Sequence, residues 1–469
     1  MSGPMSLEPG GSNQDTLTLR LADTRRAPRH QRTDATLTLR LPSFGPNEEE
    51  VSRLAAELAD RVGPAVHPYE VAALLEADGL SADVIRERYG HPNIFSLAAA
   101  LFERVPRVFV EPSKGPDPWR PDHVRCLLRG VLFALPGLAY LLTAPLWNPG
   151  RHATALVVAG IVSWAWGQAL GHRAYLRMVT GRREAGRTLL VGAPVGALCA
   201  TAAAAVPAGG GPVIWAAAAQ SLYLAAAGVL LVLGRERLLL AALTPLIAGG
   251  AVLPWWEPGP VIRTGLPVLA LLATLGAAAR SLRAAHSAPA AADAGPRPRL
   301  LRSLPYGLFG LAAAVLVLLE GRQEPYAVIA LTVSMGPAEW LLYRFRGLSV
   351  TALGAAATPV GFLLRSAGVL ALCLSAYVVL LLPVALLTGA APVTLPALAA
   401  TLWTALLLQA FGVAWPPAVI CTAAAGGAGA VTALGLAPGP TVLPLAFGPA
   451  ALLLAGCALW ILGRPARHT

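Results

Sequence analysis

Arg129, Arg263, Arg365 and Glu339, with the amides Gln168, Gln220 and Gln409, are polar side chains set within or at the ends of long apolar runs. An ionisable group in such a run is costly to bury, so by default it marks a cavity, a partner or the path of a charged ligand. Three arginines at different depths would attract an anionic headgroup. Glu339 would then hold one of them or gate the inner mouth, and the amides would line the way. Two plainer readings stand beside this one: Glu339 pairs with Arg344 or Arg346 at the membrane surface, and the arginine heads reach back to the lipid headgroups. No catalytic pattern accompanies these residues, since Gly-x-Ser-x-Gly, His-Glu-x-x-His and P-loop sequences are all missing. Cys126, Cys199, Cys373, Cys421 and Cys457 fall in or beside apolar runs without Cys-x-x-Cys or Cys/His ligand spacing. They are expected as small hydrophobes, with no disulfide framework and no metal. Neither an enzyme nor a cofactor is expected.

The elements that position these residues follow from composition. Hydrophobic residues make up 55% of the chain and charged residues 13%, against about one quarter charged in an ordinary soluble domain. A bilayer core about 30 Å thick asks for about 20 apolar residues per helix. Runs of that length predict spans at 126–146, 153–171, 188–207, 212–233, 238–254 and 261–279, then at 304–319, 325–342, 366–387, 394–414, 417–436 and 441–462. The fold class expected is therefore an all-α polytopic membrane protein of about twelve spans. Gly/Ala tracts such as 423–430 are expected to let helices approach closely.

The polar stretch 280–303 divides these spans into halves at 125–279 and 304–463. It carries Arg280, Arg283, Arg297, Arg299 and Arg302 against the single acid Asp293. By the positive-inside bias it is cytoplasmic, as are the loops bearing Arg173 to Arg187, Arg235 and Arg237, Arg344 and Arg346, and the tail 464–469. Both termini are then inside, in the plasma membrane, and 347–364 is expected as an interfacial or partly inserted helix. Gly137-Leu138 recurs as Gly310-Leu311, and Gly150-Arg151 recurs as Gly321-Arg322. Two related, parallel halves are expected.

Residues 1–47 read as a disordered arm in which Thr-Leu-Thr-Leu-Arg-Leu occurs at 16–21 and again at 36–41. Alternating leucines suit an extended segment that docks on a partner, although a tract that binds nothing has the same pattern. Residues 48–110 read as a small helical module, followed by a Pro-rich linker at 111–124 with Trp119 at the interface. Helices are predicted over 48–62, 69–77, 82–89 and 92–105, with Ser81 as an N-cap and Gly79 and Gly90 as terminators. The order helix, Gly79 turn, helix is that of a DNA reader. Between Glu48 and Gly90, however, ten carboxylates stand against four arginines, the wrong sign for phosphate. Nucleic acid is excluded, and a cytoplasmic protein partner for residues 1–110 is expected.

The architecture resembles two families. Twelve spans in two halves joined by a basic cytoplasmic loop look like the major facilitator superfamily. Thr180-Gly181-Arg182-Arg183-Glu184-Ala185-Gly186-Arg187 keeps the Gly-Arg and the acid of that family's Asp-Arg-x-Gly-Arg loop but not their order. Span count and the scarcity of membrane acids are also similar to the superfamily of multidrug, oligosaccharidyl-lipid and polysaccharide flippases. That resemblance covers residues 125–462 and implies a transporter or flippase of an amphipathic, anionic, lipid-linked envelope precursor, with membrane lipids around it. The alternative is a membrane scaffold that recruits cytoplasmic partners through residues 1–110.

Overall fold

Long apolar runs fold as helices because lipid offers the backbone no hydrogen-bond partners. In the computed structural model of the protein, the described residues are all-α, with no strand. The structure describes residues 46–106, 121–289, 299–388, 393–436 and 439–464. The repeated hexamer, most of the linker with Trp119, and Asp293 and Arg297 of the dividing loop lie outside them. Two bodies are present, one within residues 9–118 and the other from Trp119 onward.

The first body is a five-helix module with its own core. It comprises α1 (Pro46–Glu57), α2 (Ala59–Val62), α3 (Pro68–Ala77), α4 (Ala82–Glu87) and α5 (Ile94–Arg104). The expected helix over 48–62 is divided at Leu58. The other ends are set by local chemistry. Gly79 and Gly90 adopt φ of 75° and 70°, which glycine enters without steric cost. The Ser81 side chain caps α4 by accepting from the Val84 N–H, and Asn93 caps α5 by accepting from that of Ser96. Val51, Val71, Leu75, Ile85, Leu97 and Leu101 close the core. Arg61 adds a two-pronged contact to Asp78, at 2.7 and 3.0 Å.

Burial, helped by the Arg104 guanidinium, holds the His91 ring below its ordinary pKa of 6.5. The fold therefore keeps the neutral ring, and the unfolded chain takes up a proton first. Stability should be complete above about pH 6.5 and fall as the pH drops through that value toward the folded pKa. A fragment of residues 9–118 is expected to melt lower at pH 5 than at pH 7.5, with a smaller difference for His91→Gln. Equal melting temperatures for the wild type at both pH values would contradict this.

In the second body, nine helices among the described residues are long and apolar enough to cross a membrane. They include α6 (His123–Ala134) and α7 (Gly137–Thr143), which read as one span interrupted at Pro136, then α8 (Pro149–Thr180), α9 (Arg182–Ala208) and α10 (Val213–Val232). After α11 (Glu236–Ala242) and α12 (Thr244–Val252) come α13 (Pro260–His286), α14 (Leu304–Gln323), α15 (Pro325–Val333) and α16 (Met335–Ala355). The chain closes with α17 (Pro359–Thr388), α18 (Thr394–Ala410), α19 (Trp415–Ala433) and α20 (Gly439–Leu462).

Three expected spans are not among these nine. The run at 238–254 is split into α11 and α12 before Pro245, which has no N–H to continue the ladder. The run at 325–342 breaks at Ser334, three residues before Pro337; the Ser334 hydroxyl donates to the Leu331 carbonyl at 2.8 Å and meets the Tyr377 hydroxyl at 2.9 Å. The tenth, α18, is a shorter apolar helix of 17 residues. Residues 347–364 do not form a separate interfacial helix. Their first part continues α16 to Ala355 and their last part opens α17 at Pro359, so Arg344 and Arg346 lie inside a helix rather than in a loop.

Two seams join the stretches on either side of the 280–303 loop: α8 runs against α14, and α6 against α15 and α16. Small residues make both seams close. A Cβ on Gly130 would lie 3.0 Å from the Gly336 nitrogen, and one on Gly310 would lie 2.8 Å from the Gln168 Cγ and 3.2 Å from the Ala165 Cα. His172 stacks on Tyr306 with ring centres 3.7 Å apart and meets the Ser303 hydroxyl at 3.1 Å. In the 423–430 tract it is the alanines that pack: Ala425 and Ala428 are buried in the core, whereas Gly426, Gly427 and Gly429 have open space beside them. The largest core surrounds Phe345, Trp403 and Phe447. A smaller one, with Leu142, Leu189, Leu230 and Leu243, serves α6 to α13.

Candidate functional site

Arg125 and Arg129 stand one turn apart on α6, and so on one face of it. The helix is capped by Asp122, whose carboxylate accepts from the Arg125 N–H at 3.0 Å. Glu236 opens α11, where a carboxylate meets the positive end of the helix. One Glu236 oxygen accepts from Arg125 Nε at 3.0 Å and from Arg129 Nη2 at 2.9 Å. Arg129 turns its other terminal nitrogen, Nη1, to Glu339 on α16. The side chains of Glu236, Glu339 and Arg129 are 8%, 11% and 15% exposed, so the charges must compensate one another rather than rely on bulk water.

This cluster lies at the end of a cavity of about 930 Å³ bounded by α6, α8, α9, α10 and α11, with Glu339 reaching in from α16. The helices alternate in direction. Residues 122–129, 181–182 and 233–237, at the ends of successive helices, therefore meet at the same end of the cavity. Five arginines line that end, Arg125, Arg129, Arg182, Arg235 and Arg237, against three acids, Asp122, Glu236 and Glu339. Arg125 and Arg129 neutralise Glu236 and Glu339. Arg182, Arg235 and Arg237 are exposed and have no ion-pair acid among the described residues. Arg182 donates to the Leu233 carbonyl, at 3.4 Å. The mouth thus keeps surplus positive charge.

Farther along the same helices the lining turns apolar, with Trp166, Leu189, Ala193, Ala197 and Leu224, and polar contributions from Gln168, Ser163 and Ser221. Trp166 reaches α9 by donating from Nε1 to the Gly192 carbonyl at 2.8 Å, and it fills the notch left by Gly196. A Cβ at 196 would lie 2.1 Å from the Trp166 ring. Gly196→Ala must therefore eject the indole, at a cost of about 1–3 kcal/mol. The result should be a melting temperature several degrees lower for the purified protein; an unchanged one would show that the notch is not tight.

Of the residues singled out by type and spacing, Arg129, Glu339 and Gln168 are brought to this cavity. Gln168 is buried where α8 meets Gly310. Glu339 pairs with Arg129, not with Arg344 or Arg346. The others sit elsewhere. Arg263 is tied by Nε and Nη1 to the carbonyls of Pro258 and Leu142, at 2.8 and 3.2 Å. Arg365 is exposed on α17, Gln220 donates to the Leu156 carbonyl at 3.1 Å, and Gln409 is buried on α18. Sequence reasoning missed Glu236, which it passed over between the topology-marking Arg235 and Arg237. An acid that opens a helix between two arginines was the signal to follow. It also missed Glu320, buried on α14 and accepting from the Thr394 hydroxyl at 2.8 Å. No cluster of three or more His, Cys, Asp or Glu that could hold a metal ion occurs among the described residues. No family model, curated protein or solved structure matches the chain, so its functional reading rests on the geometry of this cavity.

Proposed function

We propose that the protein binds an anionic amphipathic molecule in this cavity and carries it across the plasma membrane, as a transporter or flippase of envelope precursors with both termini in the cytoplasm. The observation that carries the reading is the division of the cavity itself, arginine-rich at one end and apolar along its length. A charged headgroup would be held at the mouth by Arg182, Arg235 and Arg237, with its chain against Trp166 and the small residues of α9 and α10. Arg263 and Arg365 have no part in this reading.

The proposal of twelve spans in two related halves draws on the helices found at every expected position, with α11–α12 and α15–α16 as broken spans. It draws also on the pairing of the seams. The second span (α8) meets the seventh (α14), and the first (α6) meets the eighth (α15–α16), the reciprocal pattern that a twofold relation between halves produces. The scaffold reading has one observation of its own. Tyr69 and Phe95 of the module, 67% and 58% exposed, stack edge to face at 5.8 Å on its surface, a patch suited to a protein partner.

Dodecyl phosphate, compared with the uncharged dodecyl maltoside, tests the cavity. The protein in phosphatidylcholine nanodiscs should bind the phosphate and not the maltoside. The triple variant Arg182→Ala, Arg235→Ala, Arg237→Ala should bind it at least about tenfold more weakly, because charge-assisted contacts are lost, with little change in melting temperature. Equal binding by the variant would move the reading to the scaffold.

A further inference from the structure

Arg129 serves two carboxylates on two different elements, and the two are not equally secured. Glu236 is held by Arg125 as well as by Arg129. Glu339 has Arg129 as its ion-pair partner among the described residues. If Arg129 turns away, Glu236 keeps a cation and Glu339 loses its own. All four groups line the cavity, so an incoming anion reaches the guanidinium that Glu339 depends on.

The backbones beside this pair are in direct contact. Gly130 and Gly336 let the backbones of α6 and α16 touch, and a Cβ on Gly336 would lie 2.9 Å from the Cys126 carbonyl oxygen. Among the described residues, two side-chain polar contacts tie the seam toward the start of α6. One is the Arg129–Glu339 pair, and the other runs from Trp340 Nε1 to His123 Nδ1 at 3.0 Å. With the Arg129–Glu339 pair gone, this end of the seam is left to the backbone contact and to the Trp340–His123 bond.

We propose that Arg129 is the point where ligand and fold compete: a phosphate-class headgroup in the cavity takes Arg129 from Glu339 and so releases α16 from α6. The displaced Glu339 faces the cavity, where water can solvate it, and the headgroup's negative charge adds a repulsive push. Arg125 and Glu236 stay paired throughout, which keeps α11 on α6 while α16 moves. The proposal rests on the reading of the cavity as an anion site and adds to it the step that couples occupancy to the α6–α16 seam.

Cys126 reports on that seam, being 3% exposed beside Gly336. A cysteine substituted for Ser287, exposed at the end of α13, serves as the internal reference. The full chain in phosphatidylcholine nanodiscs is treated with N-ethylmaleimide, and alkylation of each cysteine is followed by peptide mass spectrometry. Saturating dodecyl phosphate should speed alkylation of Cys126 by about tenfold relative to the cysteine at 287, and dodecyl maltoside should not. Glu339→Gln, which keeps the side-chain shape, should give the fast rate without ligand and respond little to it. Glu236→Gln should do the reverse, because Arg129 is then left to Glu339 alone. Opposite signs for the two variants separate release of the pair from general loosening.

Bound dodecyl phosphate with an unchanged Cys126 rate would overturn the competition and leave the cavity reading standing. Acceleration of the same size by Glu236→Gln and Glu339→Gln would also overturn it. A failure of dodecyl phosphate to bind at all would remove the anion site and the competition together.

Discussion

Arg129→Ala is expected to cost the folded state about 3 kcal/mol, the lower end of the range for breaking a buried ion pair. The lower end applies because Glu236 keeps Arg125 at 3.0 Å and because both carboxylates border a cavity that water can enter. What remains is Glu339, 11% exposed and without a cation. The partner substitution should be milder. Glu339→Gln leaves Arg129 with Glu236 and leaves no unpaired carboxylate behind. The reversed pair, Arg129→Glu with Glu339→Arg, should not restore stability, because the new acid would sit beside Glu236. These outcomes are read from melting temperatures of the purified protein and from the fraction that stays monodisperse in detergent. If Arg129→Ala melts like the wild type, the three-residue cluster contributes nothing to the fold.

Gly336→Leu should be about as damaging, at about 3 kcal/mol, for a different reason. The first atom of the new side chain would meet the Cys126 carbonyl oxygen at 2.9 Å and the Gly130 Cα at 3.4 Å. Both belong to backbone, which cannot swing aside as a side-chain end can, so the two helices must separate and give up their contact. Gly427→Ala on α19 is the matched control. That position is exposed and open, so the change should be neutral or slightly stabilising through helix propensity. A loss of folded protein for both variants alike would mean that glycine matters here for flexibility and not for the close approach of α6 and α16.

The module shows how much can be read locally. Ser81, Gly79 and Gly90 end their helices where their side chains, or lack of them, say they should, since capping and left-handed turns depend on a few neighbouring residues. The apolar runs behave likewise, because length and composition decide whether a helix can lie in lipid. Proline was the misread local signal. Pro245 and Pro337 stand within runs that pass for single spans, yet each lies just beyond a break in the helix. The arginines at 344 and 346 marked a loop by the rule of charge, but α16 carries them through in helical form.

The residues of the sequence alone determined the helical class, the apolar spans, the ends of the module helices, and that Glu339 and Arg129 are costly enough to need an explanation. Only the tertiary structure decided which partner each one takes. Arg129 meets Glu236 across 107 residues and Glu339 across 210, and nothing in the local pattern distinguishes those acids from nearer candidates. The cost of burying a charge is a property of one residue and its immediate run, and so it is legible along the chain. The compensation for that cost is a property of packing, set here by two glycines that let α6 and α16 touch and by the turn at Gly234, φ 68°, after which α11 opens with Glu236 at the same cavity.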